Sequence, residues 1–101
     1  MEVLKITENN FEEEVVQSDK TVLLDFYADW CGPCKIQSPI IDEIANSRDD
    51  IKVGKINVDE NQNLASKYHV MSIPTLLIMK NGEILEQFVG LTAKDQIEEK
   101  I

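Results

Sequence analysis

The chain is poor in basic residues, in cysteine and in long apolar runs, and each shortage excludes something. Ten Lys and Arg stand against 19 Asp and Glu, a net charge of −9. With no run of basic residues either, the composition opposes non-specific nucleic-acid binding, which depends on cations neutralising phosphates. No apolar stretch approaches the roughly 20 residues that span a bilayer, so no membrane partner is expected. The opening MEVLKITENN has neither the basic start nor the apolar stretch of a secretory signal, so a cytoplasmic protein is expected. Repeats, low-complexity tracts and Pro/Gly/Ser-rich linkers are also lacking. For 101 residues that favours a single domain, 1–101, with a modest core.

Only two cysteines occur, Cys31 and Cys34 in WCGPC, too few for a small secreted disulfide scaffold. Three readings compete: a structural staple, half of a metal site, or the working part of an enzyme. A bridge between neighbours so close in sequence restricts the unfolded chain little, which counts against the staple. Structural zinc wants four Cys or His ligands. The chain offers three in all, with the lone histidine, His69, remote from the pair. His69 itself reads as an ordinary residue at a helix end.

What is present patterns as alternating strands and helices. VLKIT (3–7) reads as a short strand. Asn9 or Asn10 then caps a helix to about Gln17, with Glu12, Glu13 and Glu14 in its acidic first turn and Phe11 and Val15 on its buried side. TVLLDFYA (21–28) is a nearly continuous apolar run that suits a central strand covered on both faces. A helix from about Pro33 to Asn46 follows, its apolar face assigned to Ile36, Ile40, Ile41 and Ile44, with a kink expected at Pro39. IKVGKINVD (51–59) reads as a strand, and 61–68 as a short helix. TLLIMK and EILEQFV, joined by Asn81-Gly82, read as a hairpin over 75–89. A last helix starts near Thr92 with Asp95 as its capping partner. The order β-α-β-α-β-α-β-β-α predicts an α/β fold of three layers. Its central mixed sheet has five strands, flanked by four helices.

The cysteine pair gains its chemistry from this placement. Cys31 follows the central strand, and Pro33 suits the first turn of the next helix. Unpaired N–H groups and the dipole at a helix N-terminus stabilise an anion, so Cys31 is expected to be partly thiolate near neutral pH. Cys34, one turn further in and more enclosed, can then resolve a mixed disulfide formed on Cys31. Gly32-Pro33 places no charge between the sulfurs, which points toward a reductant. Asp25 is an acid in an apolar strand. It is either a strand-edge carboxylate reaching solvent, or a buried acid of raised pKa that exchanges a proton with Cys34. Trp30, a plain core aromatic on one reading, is taken here to cover the site.

WCGPC after DFYAD, with IPTLLIMKNGE and VGL downstream, resembles the thioredoxin family over essentially the whole chain. The resemblance implies the thioredoxin fold and general protein-disulfide reduction, as a monomer with no bound cofactor and no metal. It implies regeneration by a thioredoxin reductase, whether NADPH- or ferredoxin-linked, and disulfide-containing client proteins as partners. Asp25 matches the family's buried aspartate, and Lys55 the lysine that is its electrostatic partner; a solvated strand lysine is the alternative. Pro74 matches a cis-proline facing the cysteines, against the trans form that base rates favour. A client-contact surface is also implied. It is a flat apolar surface made of Trp30, Gly32, Pro33, Val58 and Ile73 together with Pro74, Val89, Gly90 and Leu91. The backbone at Ile73 would pair with an extended client segment. Tyr27, Ser72 and Met79 depart from the commonest family pattern, which bears on partner choice and stability.

Three rivals remain. An oxidase or isomerase of the same fold would show a reduction potential well above the glutathione poise. A zinc module would hold stoichiometric metal. A non-catalytic docking module would keep its activity without either cysteine.

Overall fold

Five consecutive residues, Val22–Phe26, are all buried at the centre of the molecule, which fixes their strand as the middle of the sheet. The computed structural model describes residues 2–101. The strands are β1 (Leu4–Lys5), β2 (Thr21–Tyr27), β3 (Ile51–Asn57), β4 (Thr75–Lys80) and β5 (Glu83–Val89). They lie in the order β1-β3-β2-β4-β5. β3 runs parallel to both β1 and β2, while β4 is antiparallel to β2 and β5 to β4. Three α-helices, α1 (Gly32–Ser47), α2 (Gln62–Lys67) and α3 (Lys94–Glu98), join a π-type segment at Glu12–Val16. The expected order and strand count both hold.

The two-residue period of the strands sorts the core onto two faces. Leu23 of β2, Ile51 and Val53 of β3, and Leu76 and Ile78 of β4 pack with Ile41, Ile44 and Ala45 of α1 and Ile97 of α3. Val22, Leu24, Phe26, Ile56, Leu77 and Met79 face the other way, against Phe11, Val15 and Leu64. Asp25 alternates with Leu23 and therefore belongs to the α1 face. In register with it across the parallel pair stands Lys55. Gly54 is a packing requirement on the opposite face, since a Cβ there would stand 2.6 Å from Cγ1 of the buried Ile6.

Several local expectations are corrected. β1 is shorter than 3–7, with two residues in the ladder. Asn10 does not cap the first helical segment. Its Oδ1 accepts from Thr7 N–H at 2.7 Å and its Nδ2 donates to Lys5 O, so it braces the turn before that segment. The segment is wound wider than an α-helix, with Gln17 N–H bonding to Glu12 O at 3.0 Å. α1 does continue through Pro39 as one element, as expected. Its buried stripe is Cys34, Gln37, Ile41, Ile44 and Ala45, whereas Ile36 is 59% exposed. α3 begins at Lys94, near Thr92 as expected, but Gln96, not Asp95, caps it by accepting from Ala93 N–H at 3.2 Å. In the hairpin, Asn81 and Gly82 both take positive φ, 53° and 79°, as a tight two-residue connection demands.

Candidate active site

β2 ends at Tyr27, and the chain turns through Ala28–Trp30 into α1. Cys31 N–H bonds back to Ala28 O at 3.2 Å, which closes that turn. Cys31 is the N-cap of α1 in extended conformation (φ −92°, ψ 113°), with Pro33 in the first turn. Its Sγ accepts the N–H of Cys34 at 3.2 Å. A sulfur thus occupies the place where capping oxygens satisfy free helix donors. Negative charge on that sulfur is stabilised by the same N–H and by the dipole of a four-turn helix.

Cys31 and Cys34 are joined as a disulfide, with Cα atoms 5.3 Å apart. Each is 4% exposed, so the expectation that Cys34 is the more enclosed is corrected. What distinguishes them is their surroundings. Cys31 Sγ lies 3.7 Å from Ile73 O, at the rim of the site. Cys34 opens onto a crevice of about 180 Å³ shared with Asp25, Tyr27, Ser38 and Lys55.

Asp25 is 1% exposed, and neither carboxyl oxygen has a hydrogen-bond partner in the protein. Burial pushes its pKa from 3.8 up to about 7; the Lys55 charge pulls it back part of the way, and Asp42 adds to the rise. The solvent-reaching alternative is therefore set aside. Lys55 makes no direct bond to Asp25. Its Nζ donates to Ser38 Oγ at 2.5 Å and stands 5.8 Å from the centroid of the Tyr27 ring. It acts on Asp25 through space, from the register position beside it on β3.

The Ile73–Pro74 bond is cis. Val58 and Ile73 pack directly on the cysteine pair, and Gly90 N–H binds Pro74 O at 2.8 Å. Gly90 has φ 90°, a left-handed conformation that needs glycine. Val89 and Leu91 flank it, both exposed, and Gly32 and Pro33 are exposed at the start of α1. Trp30 is 70% exposed rather than a core aromatic, and its indole Nε1 donates to Asp59 Oδ2 at 2.8 Å. His69 lies just past the end of α2 with φ 56° and does not line the crevice at Cys34.

Three residues here escaped the sequence reading. Asp59 holds Trp30, Ser38 holds Lys55, and Gln37 is fully buried. Gln37 alone carried a signal, because positions 34, 37, 41 and 44 recur at helical spacing.

The family model described as Thioredoxin matches residues 2–101. The chain is 46% identical to a thioredoxin of Bacillus subtilis, over 100% of this chain and 96% of that one. It is 46% identical to a thioredoxin of Chlorobaculum thiosulfatiphilum over 94% and 89% respectively. A thioredoxin of Porphyra purpurea is 44% identical over 97% and 92%.

Proposed function

The chain belongs to the thioredoxin family and is a thiol–disulfide oxidoreductase with protein-disulfide reductase activity, and from that premise we propose how its residues divide the reaction. Cys31 thiolate attacks one sulfur of a client disulfide. A Cys31–client bond forms, the client S–S bond breaks, and one client thiolate leaves. Cys34 loses its proton to the Asp25 carboxylate and attacks Cys31 Sγ. The mixed disulfide breaks, the second client thiolate leaves, and the Cys31–Cys34 disulfide remains. Two electrons have passed from the dithiol to the client. The observation that carries this assignment is the contrast around the sulfurs. Cys31 Sγ takes a helix N-terminal N–H at the rim, whereas Cys34 faces the crevice that holds Asp25.

A carboxyl with pKa about 7 suits proton exchange at neutral pH, because both of its protonation states are populated there. The crevice is polar and roomy enough for water to bridge Asp25 and Cys34. Lys55 tunes this acid. The Lys55→Met variant is expected to titrate Asp25 above pH 7, since an opposing charge that lowers its pKa is gone. Carboxyl-carbon NMR of the oxidised protein reads this directly, and an unmoved titration would remove Lys55 from the machinery.

Client segments dock on Trp30, Gly32, Pro33 and Val58 on one side and Ile73, Pro74, Val89, Gly90 and Leu91 on the other. Apolar exposure at Trp30 (70%), Val89 (65%) and Leu91 (50%) supports this surface. The backbone beside the cis-proline offers an extended client a short edge to pair with. A thioredoxin reductase returns the pair to the dithiol form, and no bound cofactor takes part. The unit is the single domain 1–101, acting as a monomer. A reductant fits a reducing compartment, and we place it in the cytoplasm. Among the described residues no helix is long and apolar enough to cross a membrane.

The wild-type protein is expected to accelerate reduction of insulin disulfides by dithiothreitol. Equilibrated with a glutathione buffer, its cysteine pair should stand as disulfide where a strong oxidant of this fold would stand as dithiol. A protein no faster than dithiothreitol alone would sink the reductase reading, and a pair held as dithiol would favour the oxidase.

A further inference from the structure

Gln37 is an unusual occupant of the buried stripe of α1. It is 0% exposed among apolar neighbours, where a polar side chain is costly unless all its bonding groups are met. The amide nitrogen and the amide oxygen each find a partner, both on the backbone of one residue. Gln37 Nε2 donates to Thr92 O at 3.0 Å, and Thr92 N–H donates to Gln37 Oε1 at 2.8 Å. A side-chain amide presents a donor and an acceptor side by side, so it can satisfy the N–H and C=O of one buried residue as a neighbouring strand would. Thr92, 5% exposed, lies between the end of β5 and the start of α3 and has no ladder of its own to join. Among the described residues these two bonds are the only hydrogen bonds between α1 and the segment 89–93.

That segment reaches the cysteines from the other side as well. Thr92 Oγ1 donates to Gly90 O at 2.9 Å, and Gly90 N–H donates to Pro74 O at 2.8 Å. Ile73 O, next in the chain, stands 3.7 Å from Cys31 Sγ. A closed circuit therefore runs from Cys34 along one turn of α1 to Gln37, across to Thr92 and Gly90, and back through Pro74 and Ile73 to Cys31. Without Gln37 the circuit is open at one point, between the helix that carries the sulfurs and the loop that carries Leu91.

We propose that Gln37 is a positioning residue for client binding: its buried amide clamps the backbone of Thr92 and so fixes the height and tilt of Gly90 and Leu91 relative to the cysteine pair. The inference rests on the reading of Val89–Leu91 as client surface. Gly90 supplies backbone freedom, and the Gln37 bonds are the tether that ties its segment to the helix carrying the sulfurs. A client must meet Leu91 and Cys31 at once, so a loosened loop weakens docking while leaving the sulfur chemistry alone.

The test compares Gln37→Met, similar in volume but apolar, with Gln37→Glu, which keeps the bond from Thr92 N–H and sets an anion against Thr92 O. Insulin is the client, with dithiothreitol as electron source, and dithiobis(nitrobenzoate) is a small disulfide that needs no surface. For Gln37→Met the expected result is a KM for insulin raised about tenfold with kcat within about twofold, and an unchanged rate with the small disulfide. Gln37→Glu, which replaces one of the two bonds by repulsion of Thr92 O in a buried site, should raise KM at least as much. A folded variant with wild-type KM, or an equal loss of rate with both substrates, overturns the proposal, because a purely structural role lowers stability without that split. Leu91→Asp separates the two readings. If it leaves KM unchanged, the surface reading falls and the clamp's purpose with it. If it raises KM while both Gln37 variants do not, the clamp alone is wrong.

Discussion

Replacing Asp25 with alanine is expected to make the protein more stable at pH 8, by roughly 3 kcal/mol, and nearly neutral in effect at pH 4. In the unfolded chain the carboxyl ionises near 3.8, and in the folded chain only near 7. Below pH 3.8 both states hold the proton and burial exacts no electrostatic penalty. As pH rises above that, the unfolded chain ionises first, and the folded state must either keep a neutral acid or bury a charge. Stability is therefore lost progressively up to about pH 7 and then levels off. At about 1.36 kcal/mol per pKa unit, a displacement of about three units corresponds to some 4 kcal/mol at alkaline pH. A little is returned because alanine fills less of the site, although the carboxyl packs against a crevice rather than a closed core. Urea unfolding of the oxidised protein at both pH values measures the difference. An equal effect at pH 4 and pH 8 would show that the acid is not strained by burial. The same variant should slow disulfide exchange at neutral pH, the outcome expected of a residue kept for function at the expense of stability.

This explains why Asp25 could be read from sequence at all. A charge amid VLL and FY contradicts every local preference around it, and such contradictions gather at sites where chemistry outweighs stability. The strands were legible for the opposite reason. Val22–Phe26 and Leu76–Met79 are largely apolar runs bounded by polar or turn residues, and the two sheet faces follow from a period of two. The hairpin followed from Asn81-Gly82, whose positive φ values few other pairs accept. Helix detail was less legible because several side chains can meet the same orphan donor. Asn10 was free to brace the preceding turn instead of capping, and Gln96 displaced Asp95 at α3. On α1 the hydrophobic count favoured Ile36, but solvent claims that position. The polar Gln37 goes inside because a partner 55 residues away in sequence satisfies it. Ser38 and Asp59 share that property. Each matters through one distant bond, to Lys55 and to Trp30, and composition or periodicity carries no trace of a bond that only folding creates.

The two cysteines, equal in burial, should separate completely when each is changed to serine. Cys34→Ser retains the rim sulfur, so attack on insulin proceeds and stops at the mixed disulfide. In the intact protein the resolving sulfur is held one helical turn away, with Cα atoms 5.3 Å apart, and competes against external thiol at millimolar concentration. Well-oriented intramolecular groups act as though present at about 10⁵ M or more. Even a small part of that advantage predicts a fall in insulin reduction of at least about 10³-fold for Cys34→Ser. A covalent insulin adduct should then accumulate on non-reducing gels and disappear with excess dithiothreitol. Cys31→Ser should give no adduct and a rate equal to dithiothreitol alone. The remaining thiol sits over the crevice beside Asp25, without the helix-terminal N–H that lowers a thiol pKa. Adducts on Cys31→Ser and none on Cys34→Ser would reverse the roles. The feature deciding reactivity would then be the crevice that Cys34 faces, not the helix terminus that Cys31 caps.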